Sequence, residues 1–169
     1  LFGYTAAGSV IENLTISDSK IISTGNYAGA FVGDLVGGIK NCHTTDTVSV
    51  SGNQYVGGIV GELDSGAYIT QCSNKGSVTG ASSTVGGLAG RVYSALSTAM
   101  TECFNTGSVT GKSFVGGLTG NLYNGGTISD CYNTGTVKAT TGVAGGLVGQ
   151  LRSGAIKNTY QACTVDAPT

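Results

Sequence analysis

The sequence predicts an all-β chain wound into a β-solenoid (β-helix), and three observations carry that prediction. A segment of about 29 residues recurs along nearly the whole 169-residue chain. Apolar and polar residues alternate with period two inside each copy, and Asn- and Gly-containing corner signals separate the alternating runs. A fixed period of this length marks a repeat architecture, in which each unit buries its apolar face only by stacking on its neighbours. The expected form is five full coils plus a partial N-terminal coil, about 28–31 residues per coil, making a single domain over 1–169.

The first element of each repeat is the phrase V-G-G-L-x-G. It reads Val56-Gly57-Gly58-Ile59-Val60-Gly61, then recurs from Val85, Val115 and Ala144, with a weaker copy from Ala28 and a truncated one in Leu1-Phe2-Gly3. After it, Phe31, Gly33 and Leu35 alternate with variable positions, as do Leu88, Gly90 and Val92 in a later copy. That is the pattern of a strand with one buried face. The residue before the last apolar position is Asp34, Glu62, Arg91, Asn121 or Gln150, which predicts an exposed polar column. The paired glycines predict a bend where a side chain would strike the next coil.

The second element is I-x-x-C. Its last residues are Leu14, Cys42, Cys72, Cys103, Cys131 and Thr159, spaced 28, 30, 31, 28 and 28 apart. The longer intervals place extra residues at turns, around Asp64–Tyr68 and Ser94–Ala99, where a solenoid absorbs them without losing register. A third strand carries Val48, Val78, Val109, Val137 and Val165 among Ser and Thr. Asn74-Lys75-Gly76, Asn105-Thr106-Gly107 and Asn133-Thr134-Gly135 precede it as expected corners, since Asn and Gly tolerate positive φ. Three strands and three corners per coil, spaced by ~4.8 Å, predict a rod of roughly 25–30 Å.

Composition narrows the classes. Thirty glycines without a G-X-Y period exclude collagen, and regularly placed Val, Ile and Leu oppose disorder. Eight basic against nine acidic residues leave no footprint for nucleic acid. No run of 18 apolar residues predicts membrane insertion of this segment. A chain opening in mid-repeat at Leu1 reads as part of a longer polypeptide, whose remainder is then its first partner.

V-G-G-L-x-G followed by I-x-x-C-Y-N-T-G-x-V resembles the GLUG repeat of large bacterial surface proteins, over essentially Leu1 to Val165. The resemblance implies a bacterial secreted or cell-surface setting, among adhesin-like chains and immunoglobulin A-cleaving metallopeptidases. Leu14 and Thr159 depart from the expected Cys, and Cys163 takes the place of Gly76, Gly107 and Gly135, so both end coils are expected to be degenerate.

The chemistry-bearing residues predict a module without catalysis. Cys42, Cys72, Cys103 and Cys131 share one repeat position and are expected as a column of buried free thiols, not as a disulfide set. No C-x2-C pair occurs and His43 is the single histidine, so neither metal nor cofactor is expected. H-E-x-x-H, G-x-S-x-G and G-x4-G-K are all absent. Glu102 and Asp130 fall in adjacent coils, but their column, running from Asn13 to Asn158, reads as a solvated face with no basic residue in register.

Aromatics give the binding expectation. Phe104, Tyr132 and Tyr160 follow the Cys position in successive coils, and Tyr93 and Tyr123 are equivalent to each other. Such rows can contact a host glycan or a protein surface, or can simply pack between coils. The leading expectation is a non-catalytic structural or adhesive repeat module. The alternatives are an accessory substrate-positioning domain of a surface metallopeptidase and a carbohydrate-active β-helix enzyme.

Overall fold

The computed structural model describes residues 1–168, and among them every regular element is a β-strand. Each full coil traverses five short strands, not the three expected. In the third coil they are Tyr55–Gly57, Val60–Leu63, Tyr68–Thr70, Ser73–Asn74 and Ser77–Gly80. We name the five walls after their recurring residues: the glycine, leucine, isoleucine, asparagine and valine faces.

Each wall is one parallel sheet running the length of the rod. Four walls hold six strands and the glycine face five, so the first coil is the partial one and five full coils follow. Every strand pairs in parallel with its equivalents in adjacent coils, as Val60 pairs with Val32 and Ala89. The chain is thus a β-solenoid of six turns with the expected repeat length. The turn insertions at 64–67 and 93–99 lie outside the strands, and the ladder runs through them unbroken.

The two extra strands have local causes. One is the segment before the Gly-Gly bend, which pairs as a sheet of its own. The other arises because I-x-x-C is a corner and not one strand. The residue before the Cys position takes positive φ in every coil, with Asn41 at 47°, Gln71 at 55°, Glu102 at 52° and Asp130 at 54°. That turns the chain from the isoleucine to the asparagine face. The positive φ expected at Asn74 and Gly76 therefore sits elsewhere. Gly76, Gly107 and Gly135 are required for space, because a Cβ there would overlap a carbonyl of the preceding coil.

A second correction concerns the valine face. Val50, not Val48, stands in register with Val78, Val109, Val137 and Val165. The second coil closes its corner with a longer turn over 45–48, in which Val48 N–H donates to Thr45 O at 3.2 Å. Val48 is buried there nonetheless.

The core is columnar. Phe31, Ile59, Leu88 and Leu118 are buried in one column, and Ile39, Ile69, Met100 and Ile128 in another. A buried side chain of this size contributes about 1.5–3 kcal/mol. Leu147 is only half-buried and Leu151 is 52 % exposed, because they lie in the last coil, with no coil beyond them in the chain described.

Candidate functional site

Two ladders run inside the rod. Cys42, Cys72, Cys103 and Cys131 are buried free thiols in one column. Their S–H groups donate to backbone carbonyls, as Cys103 Sγ does to Thr101 O at 3.0 Å. Backbone N–H groups of Cys72 and Cys103 donate in turn to Cys103 and Cys131 Sγ, at 3.3 and 3.4 Å. Burial pushes the Cys42 and Cys103 thiols up, while hydrogen bonding with Cys103 lowers those of Cys72 and Cys131, so enclosure in the core is what keeps the whole column from reagents. Cys163 is half-buried at the last coil and accepts from Asn133 Nδ2 at 3.2 Å.

The second ladder was not foreseen. Asn74, Asn105 and Asn133 are fully buried amides, not surface corner residues. Each Nδ2 donates to the next coil, Asn74 to Asn105 Oδ1 and Asn105 to Asn133 Oδ1, both at 2.8 Å. The other Nδ2–H meets the carbonyl of the glycine two residues on, as from Asn105 to Gly107 at 2.9 Å. Thr44 caps one end by donating to Asn74 Oδ1 at 2.6 Å. With donors and acceptors paired, the hydrogen bonds offset the cost of burying the amides, and the column fixes register. The sequence signal was available: Asn recurs at this position while its neighbour varies among Lys75, Thr106 and Thr134.

The aromatic rows form as expected, as two separate stacks. Phe104 and Tyr132 have ring centroids 4.9 Å apart with planes at 1°, and Tyr132 and Tyr160 are 5.2 Å apart at 8°. Tyr160 ends this stack at 57 % exposure. Below it, His43 Nδ1 and Ser73 Oγ lie 2.8 Å apart, and burial followed by the charge of Lys75 lowers the His43 pKa. Tyr93 and Tyr123 stack at 5.5 Å and 20°, and Tyr27 with Tyr55, which the sequence reading missed, at 5.5 Å and 18°. Offset stacking covers part of each ring face, so these rows present mainly ring edges and hydroxyls to solvent.

Glu102 and Asp130 lie on the outer wall, each bound by an amide of a neighbouring coil. Gln71 Nε2 donates to Glu102 Oε2 at 2.8 Å, and Asn158 Nδ2 to Asp130 Oδ1 at 3.2 Å. Among the described residues, no group of His, Cys, Asp and Glu is arranged to hold a metal.

The column expected to be exposed is instead enclosed. Glu62 is 3 % and Asn121 9 % exposed, with Asp34, Arg91 and Gln150 half-buried. The cause is the third glycine of the phrase. Gly61 packs against the backbone of Ala28 and Gly90 against that of Tyr55 and Val56, so the leucine and glycine faces close on each other. Their junction is an open trough of about 400 Å³. Arg91 and Tyr93, Asn121 and Tyr123, and Gln150 and Arg152 line one side in three successive coils, with Tyr55, Thr84 and Phe114 opposite.

Arg91 organises the end nearest Glu62. Its Nε donates to Glu62 Oε1 at 2.9 Å, and Nη2 donates to the same oxygen. Nη1 donates to Tyr55 Oη at 3.1 Å, and the guanidinium lies 4.3 Å from the Tyr55 ring centre. Burial raises the Glu62 carboxyl, while the Arg91 hydrogen bond and charge oppose that shift. Burial likewise works against the Arg91 charge, and Glu62 more than restores it. Further along, Arg152 lies 5.2 Å over the Tyr123 ring. Asn121 Nδ2 donates to Gln150 Oε1 at 3.0 Å, leaving Asn121 Oδ1 buried without a partner.

Comparison with known proteins agrees with this geometry. The family described as "the GLUG motif" matches residues 52–79 and 115–138. No curated protein sequence matches significantly. A crystal structure of a Bacteroides ovatus protein, provisionally named an immunoglobulin A1 protease, is similar with a TM-score of 0.75 and 28 % identity, over 89 % of this chain and 50 % of that one. The chain thus spans half the length of that protein. Two segments that match the GLUG motif, each a run of the same coil, and a solved structure of similar fold lead to one conclusion: the chain carries GLUG motifs at 52–79 and 115–138 on a β-solenoid.

Proposed function

We propose that the chain is a non-catalytic display module of a bacterial secreted or cell-surface protein. The single observation that carries this reading is the unbroken coil-to-coil register of all five walls. Stacking of this kind gives a stiff rod in which each coil leans only on its neighbours, so the outer surface can vary while the core stays fixed. Outward side chains recur every ~4.8 Å, a spacing that suits repeated weak contacts with a glycan or protein surface. Phe104, Tyr132 and Tyr160 form one such row, and Tyr93 with Tyr123 another.

A second reading is favoured by the similarity to the B. ovatus protein. On it, the rod holds substrate for a peptidase domain located elsewhere in a larger protein. A carbohydrate-active enzyme is the weakest reading, since Glu102 and Asp130 occupy an outer wall and are held by amides of neighbouring coils.

Adhesion tests the first reading. Beads coated with the chain should adhere to host glycans or matrix, and Tyr132→Ser with Tyr160→Ser should reduce adhesion severalfold while the far-ultraviolet spectrum is unchanged. Absence of adhesion by the parent chain would refute the display role, and turnover of any polysaccharide would refute the non-catalytic one.

A further inference from the structure

We propose that the trough between the leucine and glycine faces binds a carboxylate-bearing sugar unit of a glycan. The proposal rests on reading the chain as a binding rod and assigns that rod a site and a ligand class. Two groups in the trough lack protein partners and ask for opposite things. Asn121 is 9 % exposed, and its Oδ1 is buried and accepts from nothing in the protein, so it needs a donor. Arg152 has no carboxylate partner among the described residues, and its guanidinium is positioned over Tyr123 at 5.2 Å, so it can take an anion.

The two stand two residues beyond a single coil step, since Asn121 pairs with Gln150 in register and Arg152 follows Gln150 by two. A molecule that reaches both must carry a carboxylate and a hydroxyl a few ångströms apart on a small body. Acidic sugars have that constitution. The guanidinium would hold the carboxylate by charge-assisted hydrogen bonds, and a ring hydroxyl would donate to Asn121 Oδ1. No acidic side chain lines the trough; Glu62, next to Arg91, is paired with it through Oε1, while its buried Oε2 has no partner. Tyr93 and Tyr123 contribute hydroxyl-bearing edges. The lining is mostly polar, and its volume of about 400 Å³ lies within the range of small-molecule sites, about 300–1,000 Å³. An acidic peptide would satisfy Arg152 but prefers an apolar pocket for an anchoring side chain, which this open trough does not offer.

The experiment is titration of the whole chain, followed by amide and side-chain NMR, with sialyllactose and a β-glucuronide. Lactose, the matching β-glucoside and an Asp-rich peptide serve as comparators. The expected result is saturable shifts at Asn121, Tyr123 and Arg152 with the acidic sugars, at least tenfold weaker with the neutral ones. Arg152→Gln should weaken binding at least tenfold with no change in spectrum elsewhere, and Asn121→Ser, smaller and still polar, should weaken it less. Equal response to neutral sugars, no response to either acidic sugar, stronger binding of the peptide, or an Arg152→Gln variant that binds unchanged would each overturn the assignment. Loss of titration with bead adhesion retained removes this site and leaves the display role standing.

Discussion

A Cβ on Gly87 would fall on the side-chain amide of Asn105, so the second glycine of the bend keeps open the space that the buried Asn fills. The same relation holds for Gly58 with Asn74 and Gly117 with Asn133. The two ends of the repeat phrase, far apart in sequence, therefore meet inside each coil. Asn105→Ala should destabilise the chain by about 2–4 kcal/mol, because it opens a cavity and strips hydrogen bonds from buried partners. Gly87→Ala should cost at least as much, and combining the two should not restore stability, since the Gly117 carbonyl also blocks that Cβ. Urea denaturation midpoints check all three, and rescue by the double variant would contradict the packing described.

Glycines should differ sharply by position. Gly107→Ala drives a Cβ into the backbone of Gly76 and should prevent native stacking. Gly66→Ala meets nothing within 4 Å and bears only the strain of φ +81°, so it should cost about 1–2 kcal/mol. Thermal melts of the two variants separate close approach from backbone strain.

The thiols should label in order of burial. Cys163, half-buried in the last coil, should react first, whereas Cys42, Cys72, Cys103 and Cys131 should react only after denaturant is added. Titration with a chromogenic disulfide in native buffer gives the count. Fast reaction at all five sites would contradict a closed core.

Coil number and the Ile, Leu and Cys columns were legible because they repeat with one period and one chemistry. The count of walls was not, since Gln71 or Glu102, a single residue at positive φ, divides what reads as one strand. Glu62 and Asn121 looked like solvent-facing positions because alternation reveals which face they share but not what lies over it. Asn74 was hidden by its own preference for turns, and only its pairing across coils explains its burial. The aromatic rows were visible, whereas the trough was not, since it depends on two walls closing at Gly61 and Gly90.

Acid should favour the native state in one pH window. Burial raises the Glu62 carboxyl above its ordinary value of 4.5, and burial followed by the charge of Asp64 raises Asp34 above 3.8. A carboxyl with a higher pKa folded than unfolded binds more protons in the native state. Its contribution is complete below the unfolded value and is lost as pH rises through the folded one. Stability should therefore fall as pH increases from about 4 through the raised values, and Glu62→Gln should flatten part of that slope. Denaturation midpoints across pH 4–8 provide the check.

The register of stacked coils underlies every feature above, and a distance measurement tests it directly. Ser51, Thr79, Thr110, Lys138 and Asp166 form one register column across five coils. Four steps of ~4.8 Å put the outer two about 19 Å apart. Nitroxide labels at Ser51→Cys and Asp166→Cys, in a Cys163→Ser background whose other thiols are buried, allow the spacing to be read by double electron–electron resonance. The account predicts a narrow distribution near 20 Å. A broad distribution, or one centred beyond 30 Å, would contradict it.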